Sequence, residues 1–108
     1  MAYTFEFRGP FGPIPLDRVD ILVAKEAPGW TAGDLAMSIL VPACVQAGTS
    51  LLIGVDGVFG GIQDVCGIEA QNNRELRRIV PQLVGERKEI EAAIRRVLTG
   101  GCFTCSWR

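Results

Sequence analysis

ERKEIEAAIRRVLTGG, residues 86–101, combines a helical apolar period with a double-glycine stop. Its apolar side chains recur at spacings of three and four residues, which predicts an amphipathic helix from Glu86 to Leu98. Glu91 can pair with Arg95 one turn later, and the glycine pair supplies a C-terminal stop. The apolar face of this predicted helix consists of Ile90, Ala93, Ile94, Val97 and Leu98.

The apolar stripe extends toward the N-terminus beyond Gly85 and Pro81, which predicts two consecutive helices or one sharply kinked helix. A chain of 108 residues has room for a single core, and the stripe adds more apolar surface than so short a chain is expected to bury. We therefore expect the stripe to form a homodimer interface. The predicted interface residues are Leu76, Ile79, Val80, Leu83, Ile90, Ile94 and Val97.

The N-terminal part of the chain predicts strands. Apolar and polar residues alternate from Tyr3 to Arg8, which is the period of a strand with one buried face. The proline- and glycine-rich residues 9–15 predict a stiff, extended connection. The β-branched run from Val19 to Ala24 predicts a second strand.

A helix is predicted next, because Thr31-Ala32-Gly33-Asp34 has the spacing of a capping box. The helix should begin near Ala32, bend near Pro42 and stop at Gly48. Its expected buried residues are Leu35, Ile39, Leu40 and Ala43.

Two interpretations of residues 50–68 stay open. As strands, Leu51–Val55 and Val58–Ile62 flank Asp56-Gly57, a pair suited to a two-residue hairpin turn. As a helix, the apolar residues again fall at spacings of three and four, but each of four glycines would cost roughly 0.5–1 kcal/mol inside it. The hairpin is favoured.

These elements predict a single α+β domain over residues 1–101, in which a small antiparallel sheet packs against a central helix and a C-terminal helical segment. Residues 102–108 are expected to form a cysteine-containing tail. The 21 residues from Leu35 to Val55 carry no charge, enough to cross a hydrocarbon layer of ~30 Å. Because Gln46–Ser50 has the composition of a helix stop and a loop, a membrane span is only the alternative to a buried helix and strand.

Composition excludes several classes of function. The net charge of −1 provides no global field to attract nucleic acid. The chain has no histidine, which removes Ser-His and Cys-His nucleophile pairs and His-containing zinc sites. Since no other catalytic constellation is recognisable, we expect a non-enzymatic protein without a cofactor. Four cysteines without a secretory signal pattern predict reduced thiols and a cytoplasmic location.

The Cys102-Phe103-Thr104-Cys105 motif is the one pattern with potential chemistry. Cysteines at this spacing can close a small disulfide or supply half of a site for zinc or another thiophilic metal. In redox proteins, however, such a pair sits at a helix N-terminus, whose positive end lowers the thiol pKa, whereas this pair follows a predicted helix C-terminus. A thiol-dependent role of Cys102 and Cys105 is therefore an alternative function.

Gly100-Gly101 followed by a short cysteine-containing tail resembles the double-glycine leader and core of ribosomally made, modified peptides. The resemblance implies cleavage after Gly101 and a core peptide of residues 102–108. The sequence thus leaves three classes of function in order of preference. They are a small interaction or assembly module that binds itself or another protein, a thiol-dependent protein, and a peptide precursor.

Overall fold

A computed structural model describes residues 3–49, 51–52 and 73–107 of the chain. The predicted α+β class is confirmed. A four-stranded sheet in the order β2-β1-β4-β3 is antiparallel at every described strand pair. Its strands are β1 (Tyr3–Gly9), β2 (Gly12–Ile14), β3 (Leu51–Leu52) and β4 (Cys102–Trp107).

The predicted alternation in β1 is confirmed. Phe7 lies opposite Phe103 of β4, and Phe5 lies opposite Cys105, so these four side chains share the inner face of the sheet. The Phe7 and Phe103 ring centroids are 5.1 Å apart in an edge-on arrangement, and the Phe5 ring stacks on Phe103 at 5.8 Å. This aromatic cluster joins the sheet to the helical layer in one core.

Helix α1 (Leu16–Glu26) replaces the second strand predicted for residues 19–24. The buried Val19 and Val23 are one helical turn apart, and the Pro15 carbonyl accepts the first helical hydrogen bonds. The strand prediction was wrong because β-branched residues follow their packing environment, and here the C-terminal helix covers this face.

The predicted capping box is confirmed. The Thr31 hydroxyl accepts a hydrogen bond from the Asp34 amide at 3.1 Å, and the Asp34 carboxylate accepts one from the Thr31 amide at 3.0 Å. Asp20 of α1 adds a tertiary cap, since its carboxylate accepts from the Ala32 amide at 2.6 Å. The start of this helix is thereby fixed both locally and by α1.

The central helical segment comprises α2 (Ala32–Leu35), a π-helical turn (Ala36–Leu40) and α3 (Val41–Ala47). The wide turn ends two residues before Pro42, which has no amide hydrogen to donate, so the bend predicted near Pro42 takes the form of a π-helical turn. Gly48 ends the segment in the left-handed conformation, with φ +69°. All four expected core residues are buried, namely Leu35, Ile39, Leu40 and Ala43.

The C-terminal part contains two consecutive helices, α4 (Asn73–Val84) and α5 (Lys88–Leu98). Of the two predicted alternatives, the structure therefore has two helices rather than one kinked helix. The break occurs at Gly85, which has φ +66°, while Pro81 stays inside α4. Arg87 joins the helices by donating from Nε to the Val84 carbonyl at 2.9 Å.

The prediction of a C-terminal tail is wrong. Cys102–Trp107 is strand β4, which pairs with β1 on one side and with β3 on the other. The double glycine turns the chain from α5 into this strand. Gly101 is buried, and a Cβ there would overlap the Arg8 carbonyl oxygen. The close approach of the two backbones therefore requires glycine at residue 101.

The competing hairpin and helix predictions for 50–68 lie outside the described residues, except that Leu51–Leu52 is extended. None of the helices in the described ranges has the length and the apolar run needed to cross a bilayer.

Candidate functional site at the hairpin tip

The turn between β1 and β2 carries a large apolar side chain in water. Gly9 pairs with Gly12, which leaves Pro10 and Phe11 as the two-residue loop of a hairpin. The Phe11 side chain is fully exposed, with a relative accessibility of 103%. It makes no contribution to the core and is accessible to a binding partner.

Local chemistry makes this turn stiff. The pyrrolidine ring fixes φ at Pro10, and Pro13 does the same within the edge strand β2, where no partner needs its missing amide hydrogen. Gly12 adopts φ +116°, a conformation that other residues rarely reach. Pro10 packs near Gly100 at the end of α5. Phe11 is therefore presented by a preorganised segment.

A groove continues from this tip between α1 and α5. A cavity of about 350 Å³ lies beside the hairpin, and a second of about 460 Å³ follows toward the C-terminal end of α1. Arg96 and Thr99 line both cavities, so the two form one surface, which we call the hairpin groove. Its apolar lining beside the hairpin includes Phe11, Ile14, Leu22 and Val97.

The charges on the hairpin groove are mostly positive. Arg18, Arg95 and Arg96 line it, and Glu26 is the one acidic residue among its lining residues. The Nε of Arg96 donates to the Glu26 carboxylate at 2.7 Å, which neutralises that pair. Within the described ranges the Arg18 guanidinium has no ion-pair partner. Arg95 is paired with Glu91 at 3.5 Å, so among the described residues Arg18 is the groove arginine that no ion pair neutralises, and it is suited to a carboxylate of a ligand.

The structure corrects the prediction that the apolar stripe forms an interface. The stripe faces the inner core, where the central helical segment and the sheet cover it, and only Leu83 is partly accessible. The exposed apolar surface is smaller than expected because residues 16–26 form helix α1 rather than part of a strand, and residues 102–107 form strand β4 rather than a tail. The buried members of the predicted interface are Leu76, Ile79, Val80, Ile90, Ile94 and Val97.

The Cys102 and Cys105 side chains lie on opposite faces of the sheet. Residues three apart in a strand alternate sides and are separated by about 10 Å along the chain, whereas a disulfide needs Cα atoms within about 7 Å. Cys102 is disulfide-bonded, while Cys105 is a free thiol. The expectation of four reduced cysteines is therefore wrong for Cys102, and the motif is not a closed redox pair. Among the described residues, no group of three or more potential ligands could hold a metal ion.

Cys105 instead contacts Cys44 of α3. The two buried thiols are joined by a side-chain hydrogen bond. Burial raises the pKa of Cys44 far above its ordinary value, and its hydrogen bond to Cys105 raises it further. Burial also raises the pKa of Cys105, partly offset by the Cys44 hydrogen bond. Cys105 is therefore the more readily ionised member of the pair.

The sequence signal for the hairpin groove was present but was interpreted only as a stiff connection. A phenylalanine inside Gly-Pro-Phe-Gly-Pro cannot join a core from a two-residue turn, and this indicates an exposed aromatic. The arginines of the groove gave no such signal, because Arg18 and Arg96 are 78 residues apart (96 − 18). No family model, curated protein sequence or solved structure matches the chain.

Proposed function

We propose that the protein is a non-enzymatic interaction module whose hairpin groove binds an acidic peptide segment of another protein. The fully exposed Phe11 on its stiff turn is the observation that carries this proposal. Burying one phenylalanine side chain contributes about 1.5–3 kcal/mol. A preorganised aromatic loses little conformational freedom on docking, so most of that contribution is retained in the complex.

The partner's chemistry follows from the groove beside the aromatic. Apolar surface from Ile14, Leu22 and Val97 fits an apolar side chain of a peptide. Arg18, which has no ion-pair partner in the part of the chain that the structure describes, would then meet a carboxylate at the groove edge. A peptide that alternates acidic and apolar residues satisfies both features. Because the 14 residues that line the two cavities are fewer than the roughly 20–30 residues on each side of a standard protein interface, we expect a transient complex with micromolar affinity.

The test uses the full chain, labelled with ¹⁵N, and a blocked peptide that alternates glutamate with leucine and tryptophan. A second peptide, in which lysine replaces every glutamate, is the control for charge. We expect amide shifts at Phe11, Arg18 and Arg96 with the acidic peptide and at least a tenfold weaker affinity for the basic one. Equal binding of both peptides, or shifts confined to other surfaces, would overturn the proposal.

Matched variants separate binding from stability. Phe11→Ala and Arg18→Glu should each weaken binding of the acidic peptide at least about tenfold, at an unchanged Tm. Two control variants change an apolar and a cationic side chain outside the groove. They are Met37→Ala, at a side chain 52% exposed, and Lys88→Glu, at an exposed lysine. Both should leave the affinity for the acidic peptide unchanged. If the first pair binds as tightly as the control pair, the groove is not the binding site.

Self-association through the same groove is a distinct outcome of this experiment. Light scattering after size-exclusion chromatography at tens of micromolar reports it directly. If the protein is a dimer and Phe11→Ala dissociates it, the groove binds a second copy of the chain. That result would overturn the proposal of an acidic partner. A monomer in which only the acidic peptide shifts the groove amides supports the assignment.

A further inference from the structure

We propose that Cys44 and Cys105 are a disulfide-forming site that links helix α3 to strand β4 under oxidising conditions. The pair is distinct from the Cys-x-x-Cys motif, whose two side chains point to opposite faces of the sheet. It is also independent of the hairpin groove.

Three observations on the pair support the proposal. Cys44 lies on the buried face of α3, and Cys105 lies on the inner face of the sheet beside Phe5. Both are buried free thiols, and they are the free cysteines of the described ranges. The two side chains interact with each other and belong to the same buried core cluster, so the sulfurs lie near each other in the folded chain.

The chemistry is a two-electron oxidation, and the oxidant is a low-molecular-weight disulfide such as oxidised glutathione. The Cys105 thiolate attacks one oxidant sulfur, forms a mixed disulfide and releases the first small thiol. Cys44 then loses its proton and attacks the Cys105 sulfur, which releases the second small thiol. The protein loses two hydrogens as two electrons and two protons, and the oxidant gains them.

Asymmetry within the pair sets the order of the two steps. Cys44 donates its S–H to Cys105, which favours the thiolate form of Cys105 over that of Cys44. Burial keeps both thiols mostly protonated and shielded, so the reaction requires local opening of the structure and is slow. The site is therefore a slow structural cross-link rather than a rapid sensor of oxidants.

The cross-link closes a long loop, since the two cysteines are 61 residues apart (105 − 44). Disulfides across loops of this length restrict the unfolded chain strongly. We expect the oxidised protein to have a Tm at least about 5 °C above that of the form with two free thiols. The added link also holds β4, which pairs on both sides, to the helical layer.

The experiment incubates the folded full-length chain with oxidised glutathione at pH 8 and follows free thiols after quenching in acid and denaturing. We expect the free thiols of Cys44 and Cys105 to disappear over hours, with a non-reduced peptide map that links Cys44 to Cys105. Cys44→Ala and Cys105→Ala should each keep one reactive cysteine and gain one glutathione instead.

A different result overturns the proposal. Cys44 and Cys105 thiols that persist in the folded protein through days of incubation, long after oxidation is complete in the denatured protein, would show that the folded chain does not form this disulfide. A map that links either cysteine to Cys102 would also contradict it. Because these measurements use the unmutated chain, they decide the matter even if an alanine variant does not fold.

Discussion

Gly101→Ala tests the fold at its tightest point, where the chain leaves α5 and enters β4. An added Cβ would overlap the Arg8 carbonyl oxygen and would stand 3.1 Å from the Arg8 carbonyl carbon and 3.2 Å from the Gly9 Cα. All three atoms belong to the backbone of β1, so no side chain can rotate away. Strand β4 must shift from β1, and the pairing of Arg8 with Cys102 is lost.

The magnitude follows from these contacts. Overpacking in a core typically costs about 1–3 kcal/mol, and a lost backbone hydrogen bond adds about 1 kcal/mol. We therefore expect Gly101→Ala to lower the free energy of unfolding by about 3 kcal/mol. The neighbouring Gly100→Ala is the matched control. It meets only open space and the Pro10 ring at 3.9 Å, but its φ of +72° costs an alanine about 1–2 kcal/mol.

Urea denaturation of both variants measures the difference. With a slope of about 1–3 kcal/mol/M, Gly101→Ala should lower the urea midpoint by at least about 1 M and lower it further than Gly100→Ala does. An equal or smaller effect of Gly101→Ala would refute the close approach of β1 and β4.

Further predictions concern the cap, the core and the thiols. Thr31→Ala should cost about 1 kcal/mol and Thr31→Ser much less, measured by urea denaturation, because only the hydroxyl caps the Asp34 amide. Ile94→Ala should cost about 2–5 kcal/mol at an unchanged oligomeric state, whereas Ile21→Ala, at a side chain 62% exposed, should cost under about 0.5 kcal/mol. A dimer dissociated by Ile94→Ala would instead favour the interface that the sequence predicts. Burial raises the pKa of Cys44 and Cys105, so the unfolded chain ionises these thiols first as the pH rises. The stabilisation that the two buried thiols provide is complete below the ordinary pKa of 9.0. Above that pH the free energy of unfolding should fall by up to about 1.4 kcal/mol per pH unit for each thiol. Cys44→Ala should reduce this decline, as measured by urea denaturation under anaerobic conditions at several pH values.

Cleavage after Gly101 would remove β4, which pairs on both sides. A folded chain without residues 102–107 would expose the inner-face rings of Phe5 and Phe7. The structure therefore argues against the precursor alternative, and the intact mass of the protein from its native host tests it. A mass that lacks residues 102–108 would contradict this reasoning.

Elements with local sequence signals can be predicted without the rest of the fold. The capping box at Thr31, the stop at Gly48 and the apolar period of α5 depend on residues within one or two turns of each other. The strand period of Tyr3–Gly9 is likewise local. Since backbone sterics and side-chain period act over a few residues, these predictions needed no knowledge of the rest of the chain.

The features on which the proposed function depends arise only from long-range packing. Residues 102–107 are a strand because β1 and β3 offer edges on both sides, and α1 is a helix because α5 covers Val19 and Val23. The contact of Cys44 with Cys105 and the meeting of Arg18 with Arg96 join distant parts of the chain. Long-range packing selects among conformations that local propensity leaves close in free energy, so the C-terminal Cys-x-x-Cys segment could not be placed from its own residues.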